Sequence, residues 1–131
     1  MESIYKKEDK QLIFKLEEDI DEYAVQKIRR KLDNEIEKYM PKEVVFDFNN
    51  VSFMDSAGIG LIIGRYKLAN MLGGQVQVAN MSTPVRKIFE MSGISRIIPE
   101  NQPKKPGPNG RVLKTSQKNP VPMAEKEVQY E

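Results

Sequence analysis

The chain has 131 residues, 39 % of them hydrophobic and 31 % charged, with no cysteine and no histidine. That length fits one domain by the usual measure of roughly 100–200 residues. Disulfides, zinc–thiolate sites and iron–sulfur clusters are excluded, and the commonest general base is missing. The net charge of +2 is uneven: residues 1–100 hold 15 Lys/Arg against 16 Asp/Glu, while residues 101–131 hold 6 against 3. The basic excess lies in the tail, and no basic stripe sits on a regular element, which argues against direct nucleic-acid binding. The apolar run Leu61-Ile62-Ile63 falls far short of the about 20 residues a membrane span needs. The opening MESIYKKEDK is charged where a cleavable signal would be apolar, so a cytoplasmic protein is expected.

Ile4–Lys7 reads as a short strand, Glu8-Asp9-Lys10 as a polar turn, and Gln11–Leu16 as a strand with Leu12, Phe14 and Leu16 on one face. Asp21–Tyr39 carries Val25, Ile28, Leu32, Ile36 and Tyr39 in steps of three and four, one apolar stripe on a helix. Asp19 or Asp21 can cap its start, and Pro41 lies just past its end. Glu43–Phe48 is apolar and β-branched or aromatic, as a strand buried on both faces requires. A second helix is expected from about Ala57 to Leu72, closed by Gly73-Gly74. Gln75–Ala79 is a further strand, and Ser82-Thr83-Pro84 opens a short helix with Val85, Ile88 and Phe89 inward, stopped at Gly93. Ile97-Ile98 reads as a last strand fragment. The order ββαβαβαβ predicts an α/β fold, a mainly parallel or mixed sheet of four to five strands.

Five of the eight prolines fall at 103, 106, 108, 120 and 122. Gln102–Pro122 shows no helical or strand period, so residues 101–131 are expected to form a disordered tail, dispensable for function, after a domain spanning 1–100. Met54, Met71 and Met91 read as core filler, and Tyr66 and Lys67 as a solvated helix face.

The segment VSFMDSAGIGLIIG, Val51–Gly64, carries the chemistry. It runs from the end of the central strand into a helix, and sites on such sheets favour the carboxyl ends of strands. Ser56 stands at the expected N-cap, where its oxygen can accept from the N–H of Gly58 or Ile59. Three readings of it are open: a cap alone; part of a phosphate-binding turn; or an acceptor of phosphorylation, with the phosphate meeting the positive end of the helix. Gly58, Gly60 and Gly64 are spaced G-x-G-x-x-x-G, not as in a dinucleotide fingerprint, and no P-loop is present. A serine nucleophile lacks a histidine to activate it. Gly58 and Gly60 would let another chain approach the backbone closely.

FMDSAGIG, followed by GRYK at Gly64–Lys67, GGQVQV at Gly73–Val78 and MSGISRII at Met91–Ile98, resembles the STAS domain of anti-sigma factor antagonists over about residues 3–99. The GRYK continuation favours the sporulation branch over the general-stress branch. The family's G-E-L-D element aligns with Glu18-Asp19-Ile20-Asp21; Glu18 stands for the glycine, Asp19 for the glutamate, and Asp21 keeps the aspartate beside the phosphoserine site. The family's C-terminal helix would follow Ile98, where Pro99 and the tail stand here.

The resemblance implies a partner switch without enzymatic activity of its own. The unphosphorylated form binds an anti-sigma factor that is also a serine kinase, and the sigma factor is released. The kinase uses ATP to phosphorylate Ser56, affinity falls, and a serine phosphatase restores it. The protein itself takes no cofactor or metal. Asp21, Ile20, Asp55, Ala57, Gly58, Ile59 and Gly60 are the implied contact residues, Ile20 and Ile59 supplying apolar contact, with Ser82 and Thr83 opening at the same sheet end. The alternatives are a STAS regulator of a general-stress or transport complex, and a weak nucleotide-binding domain.

Overall fold

The computed structural model of the chain describes residues 1–101; the expectations for residues 102–131 lie outside them. The elements are β1 (Glu2–Lys6), β2 (Gln11–Lys15), α1 (Glu22–Tyr39), β3 (Glu43–Asp47), α2 (Ser56–Met71), β4 (Gln75–Ala79), α3 (Thr83–Met91), a single 3-10 turn (Ile94–Arg96) and β5 (Glu100–Asn101). The sheet order is β1-β2-β3-β4-β5. β1 and β2 form an antiparallel hairpin, and every later pair is parallel. Helical crossovers between neighbouring parallel strands are right-handed, so successive steps in one direction put the helices on one face.

Strand alternation then sorts the core. Leu12 and Phe14 of β2, Val44 and Phe46 of β3, and Val76 and Val78 of β4 share one cluster with Leu32 and Ile36 of α1, Leu61 and Ile62 of α2, and Val85 and Phe89 of α3. Ile13, Val45 and Ala79, with Ile4 against them, lie on the opposite face. There the Glu43 carboxylate accepts from the side-chain amides of Gln11, at 2.7 Å, and Gln77. α1 and α2 are tied by an Arg65–Asp33 ion pair of 2.9 Å; burial of Arg65 pulls its pKa below the usual guanidinium value, and Asp33 opposes that. Arg86 of α3 holds Glu100 of β5 through Nε at 3.1 Å and Nη2 at 2.6 Å.

Three expectations need correction. Ile97-Ile98 is not strand: Ile98 is buried and Ile97 exposed, because the 3-10 turn after left-handed Gly93 points them to opposite sides. Pairing resumes at Pro99, whose carbonyl accepts from Val78 N at 3.1 Å. Met54 is core, but Met71 and Met91 are 78 % and 75 % exposed; each is the last residue of its helix and has turned past the buried stripe. Tyr66 is partly buried against the core, although Lys67 is exposed. Of the two caps open for α1, Asp21 takes the role, its side chain accepting from Ala24 N at 2.9 Å.

Candidate functional site

Because β2, β3 and β4 run parallel, the loops leading into α1, α2 and α3 emerge at one end of the sheet. The first two are zipped together. Ile20 N donates to Phe53 O at 3.0 Å, and Asp55 N donates to Ile20 O at 3.1 Å, which makes a parallel bridge between Ile20 and Met54. The Asp19 carboxylate oxygen Oδ1 accepts from Ser52 N at 3.0 Å, Ser52 Oγ at 3.3 Å and Phe53 N at 3.1 Å. Asp21 follows Ile20 in sequence and is exposed, and the bridge between Ile20 and Met54 sets it alongside Asp55 at the start of α2.

Ser56 is not the N-cap. That role falls to Asp55, whose extended backbone and side chain, accepting from Ala57 N at 2.8 Å, close the first turn. Aspartate and serine cap about equally well. Here the zip to Ile20 fixes Asp55 outside the helix, and Ser56 becomes the first helical residue, exposed. Its hydroxyl is therefore not spent on capping and stands at the positive end of the helix.

The implied contact residues separate by burial. Ala57 is half-buried and Gly60 exposed; a Cβ at Gly60 would meet nothing within 4 Å. Gly58 is buried, and a Cβ there would come within 2.3 Å of Met54 Cγ, 2.6 Å of Met54 Sδ and 3.0 Å of Ile20 Cγ2. Gly58 thus admits the chain's own loops, not a partner's. Ile20 and Ile59 lie in the core, which corrects their expected role as surface contacts. Exposed apolar surface at this end comes instead from Phe53 and Tyr23, neither singled out in the sequence. Phe53 stands in an irregular loop where no period tells inside from outside. Ser82 caps α3, with Val85 N donating to its Oγ at 3.4 Å, and Thr83 beside it is exposed. Among the described residues, no group of His, Cys, Asp and Glu is arranged to hold a metal, and no helix is long and apolar enough to cross a membrane.

An anti-sigma F factor antagonist of Paenibacillus polymyxa is 36 % identical over 88 residues, covering 67 % of this chain and 75 % of that protein. The unphosphorylated form of the anti-sigma factor antagonist SpoIIAA superposes with a TM-score of 0.63 at 30 % identity, over 71 % of this chain and 81 % of that one. The phosphorylated form of the Bacillus cell fate determinant SpoIIAA gives 0.56 at 29 % identity, over 71 % and 84 %. The STAS domain model matches residues 3–106. With its mixed five-stranded sheet, its helices and the zipped loops before α2, the chain belongs to the STAS domain family.

Proposed function

We propose that this chain is an anti-sigma factor antagonist that works as a phosphorylation-controlled partner switch, a regulator and not an enzyme. The observation that carries the reading is the exposed, uncapping Ser56 at the first position of α2, within FMDSAGIG. Two relatives support it: an antagonist of anti-sigma F factor and a SpoIIAA that exists in a phosphorylated form. The partner is an anti-sigma factor with serine kinase activity, which supplies the ATP chemistry; a serine phosphatase reverses it. The chain binds no cofactor and acts in the cytoplasm.

The physical account is electrostatic. A phosphate on Ser56 adds about −1.5 to −2 charges beside Asp55 and Asp21, and competes with the Asp55 carboxylate for the N–H groups of the first turn. Burying that charge at an interface costs desolvation as well as repulsion.

Binding of the purified anti-sigma factor to wild type, Ser56→Ala and Ser56→Asp tests the reading. Ser56→Ala should bind as wild type does and stay bound with ATP present, and Ser56→Asp should fail to bind. Equal affinity of all three would contradict the switch.

A further inference from the structure

We propose that Asp19 is a positioning residue for Ser56, acting through the loop that leads to it. The proposal rests on Ser56 being the phosphoacceptor, although its geometric half does not. Beyond Phe48, the loop between β3 and α2 pairs with another strand-like segment only at the single Ile20–Met54 bridge, and ordering such a segment costs chain entropy. Two supports reach it from the loop before α1. Ile20 contributes backbone bonds to Phe53 O and from Asp55 N. Asp19 contributes one carboxylate oxygen that gathers both backbone N–H groups and the hydroxyl of Ser52–Phe53. Hydrogen bonds to an ionised acceptor are the stronger kind.

The chain of constraint is continuous. Asp19 fixes Ser52 and Phe53, Ile20 fixes Phe53 and Asp55, and Asp55 caps the turn in which Ser56 is the first residue. Phe53, half exposed, is held outward by the same bonds. Asp19 makes no capping bond of its own; the cap of α1 is Asp21. Its three contacts all reach across to the other loop, more than thirty residues away in sequence. Without Asp19 the loop keeps its Ile20 bonds but spends less time in the arrangement a partner meets, and apparent affinity falls by the fraction of molecules competent to bind.

Hydrogen exchange of the full chain, free in solution, tests the geometry. In Asp19→Ala the amides of Ser52 and Phe53 should exchange about tenfold faster, with Val76 and Val78 of β4 unchanged. Asp19→Asn keeps an acceptor oxygen but loses the charge, and its Ser52 and Phe53 amides should exchange about two- to threefold faster than wild type. With the purified anti-sigma factor kinase of the proposed switch and ATP, Asp19→Ala should raise KM for phosphorylation about fivefold and leave kcat within about twofold; Asp19→Asn should about double KM. If Asp19→Ala also loosens β4, Asp19→Asn decides, and unchanged exchange and KM in it overturn the proposal. Unchanged exchange of Ser52 and Phe53 in Asp19→Ala overturns the clamp. Loosened amides with unchanged KM and kcat overturn the positioning role. Equal KM for the Asn and Ala variants shows that the charge touches the partner, which also overturns it. Wild type that takes no phosphate on Ser56 removes the phosphoacceptor reading, and the positioning role with it, while the exchange data still judge the clamp separately.

Discussion

The starts of α2 and α3 are built alike and differ in surroundings that decide their use. Both follow a parallel strand at the same end of the sheet, and both have an exposed hydroxyl residue at the first helical position, Ser56 and Thr83. At α3 the cap is Ser82, with a proline in the first turn and Arg86 in the second turn gripping Glu100. At α2 the cap is Asp55, and the loop before it is zipped to the loop carrying Asp19 and Asp21. A helix N-terminus with a hydroxyl is thus not sufficient for a switch. What sets α2 apart is a second acidic loop alongside and an exposed Phe53. Thr83 has the first position without that surround.

The largest expected contrast sets charge at the two helix starts against each other. Ser56→Asp should cost the anti-sigma factor complex about 3–4 kcal/mol, two to three decades of affinity. Thr83→Asp should change it by less than about threefold, read by calorimetry on the same partner. A comparable loss at Thr83 would merge the two regions into one interface.

Glycine substitutions sharpen the inside of the α2 start. Gly58→Ala should destabilise the fold by about 1–3 kcal/mol, the usual range for overpacking, because Met54 and Ile20 already fill the space. Gly60→Ala points into open space and should stabilise by up to about 1 kcal/mol as a helix residue. Loss of anti-sigma factor binding in Gly60→Ala, in a protein of raised Tm, would locate the partner's close approach at that backbone. Denaturant titration of both variants gives the two signs.

Smaller effects separate capping from switching. Ser82→Ala should cost about 1 kcal/mol of stability as a lost cap and leave phosphorylation of Ser56 within about twofold. Asp21→Asn should cost only about 0.5 kcal/mol or less, since asparagine caps nearly as well, yet reduce anti-sigma factor binding several-fold through the lost charge. Stability and binding that fell together in Asp21→Asn would make it a folding residue alone.

The fold was legible because its signals are local. The 3- and 4-step stripe of Val25, Ile28, Leu32 and Ile36, the apolar run at Glu43–Phe48 and the Ser82-Thr83-Pro84 start each need only neighbours in sequence to be read. The site was legible as a segment but not in its wiring. Asp55 and Ser56 are adjacent and both good caps, so only the long-range bond from Asp55 N to Ile20 O settles which one lies outside the helix. Ile20 sits among acids in EEDIDE and looks exposed; its bridge to Met54 carries it into the core. Asp19 and Phe53 meet across the fold, and no period or motif announces such a contact. The exposed Met71 and Met91 show the same limit from the other side: residue type suggests burial, and the helix end decides against it.

The central claim is that Ser56, and not another hydroxyl at this end of the sheet, is the switch. Its most direct measurement is stoichiometric phosphate incorporation, mapped by peptide, after incubation with the purified kinase partner and ATP. Wild type, Ser52→Ala, Ser82→Ala and Thr83→Ala should each take a single phosphate on Ser56, and Ser56→Ala none. Full incorporation into Ser56→Ala, or its loss in Thr83→Ala with Ser56 intact, would contradict the account.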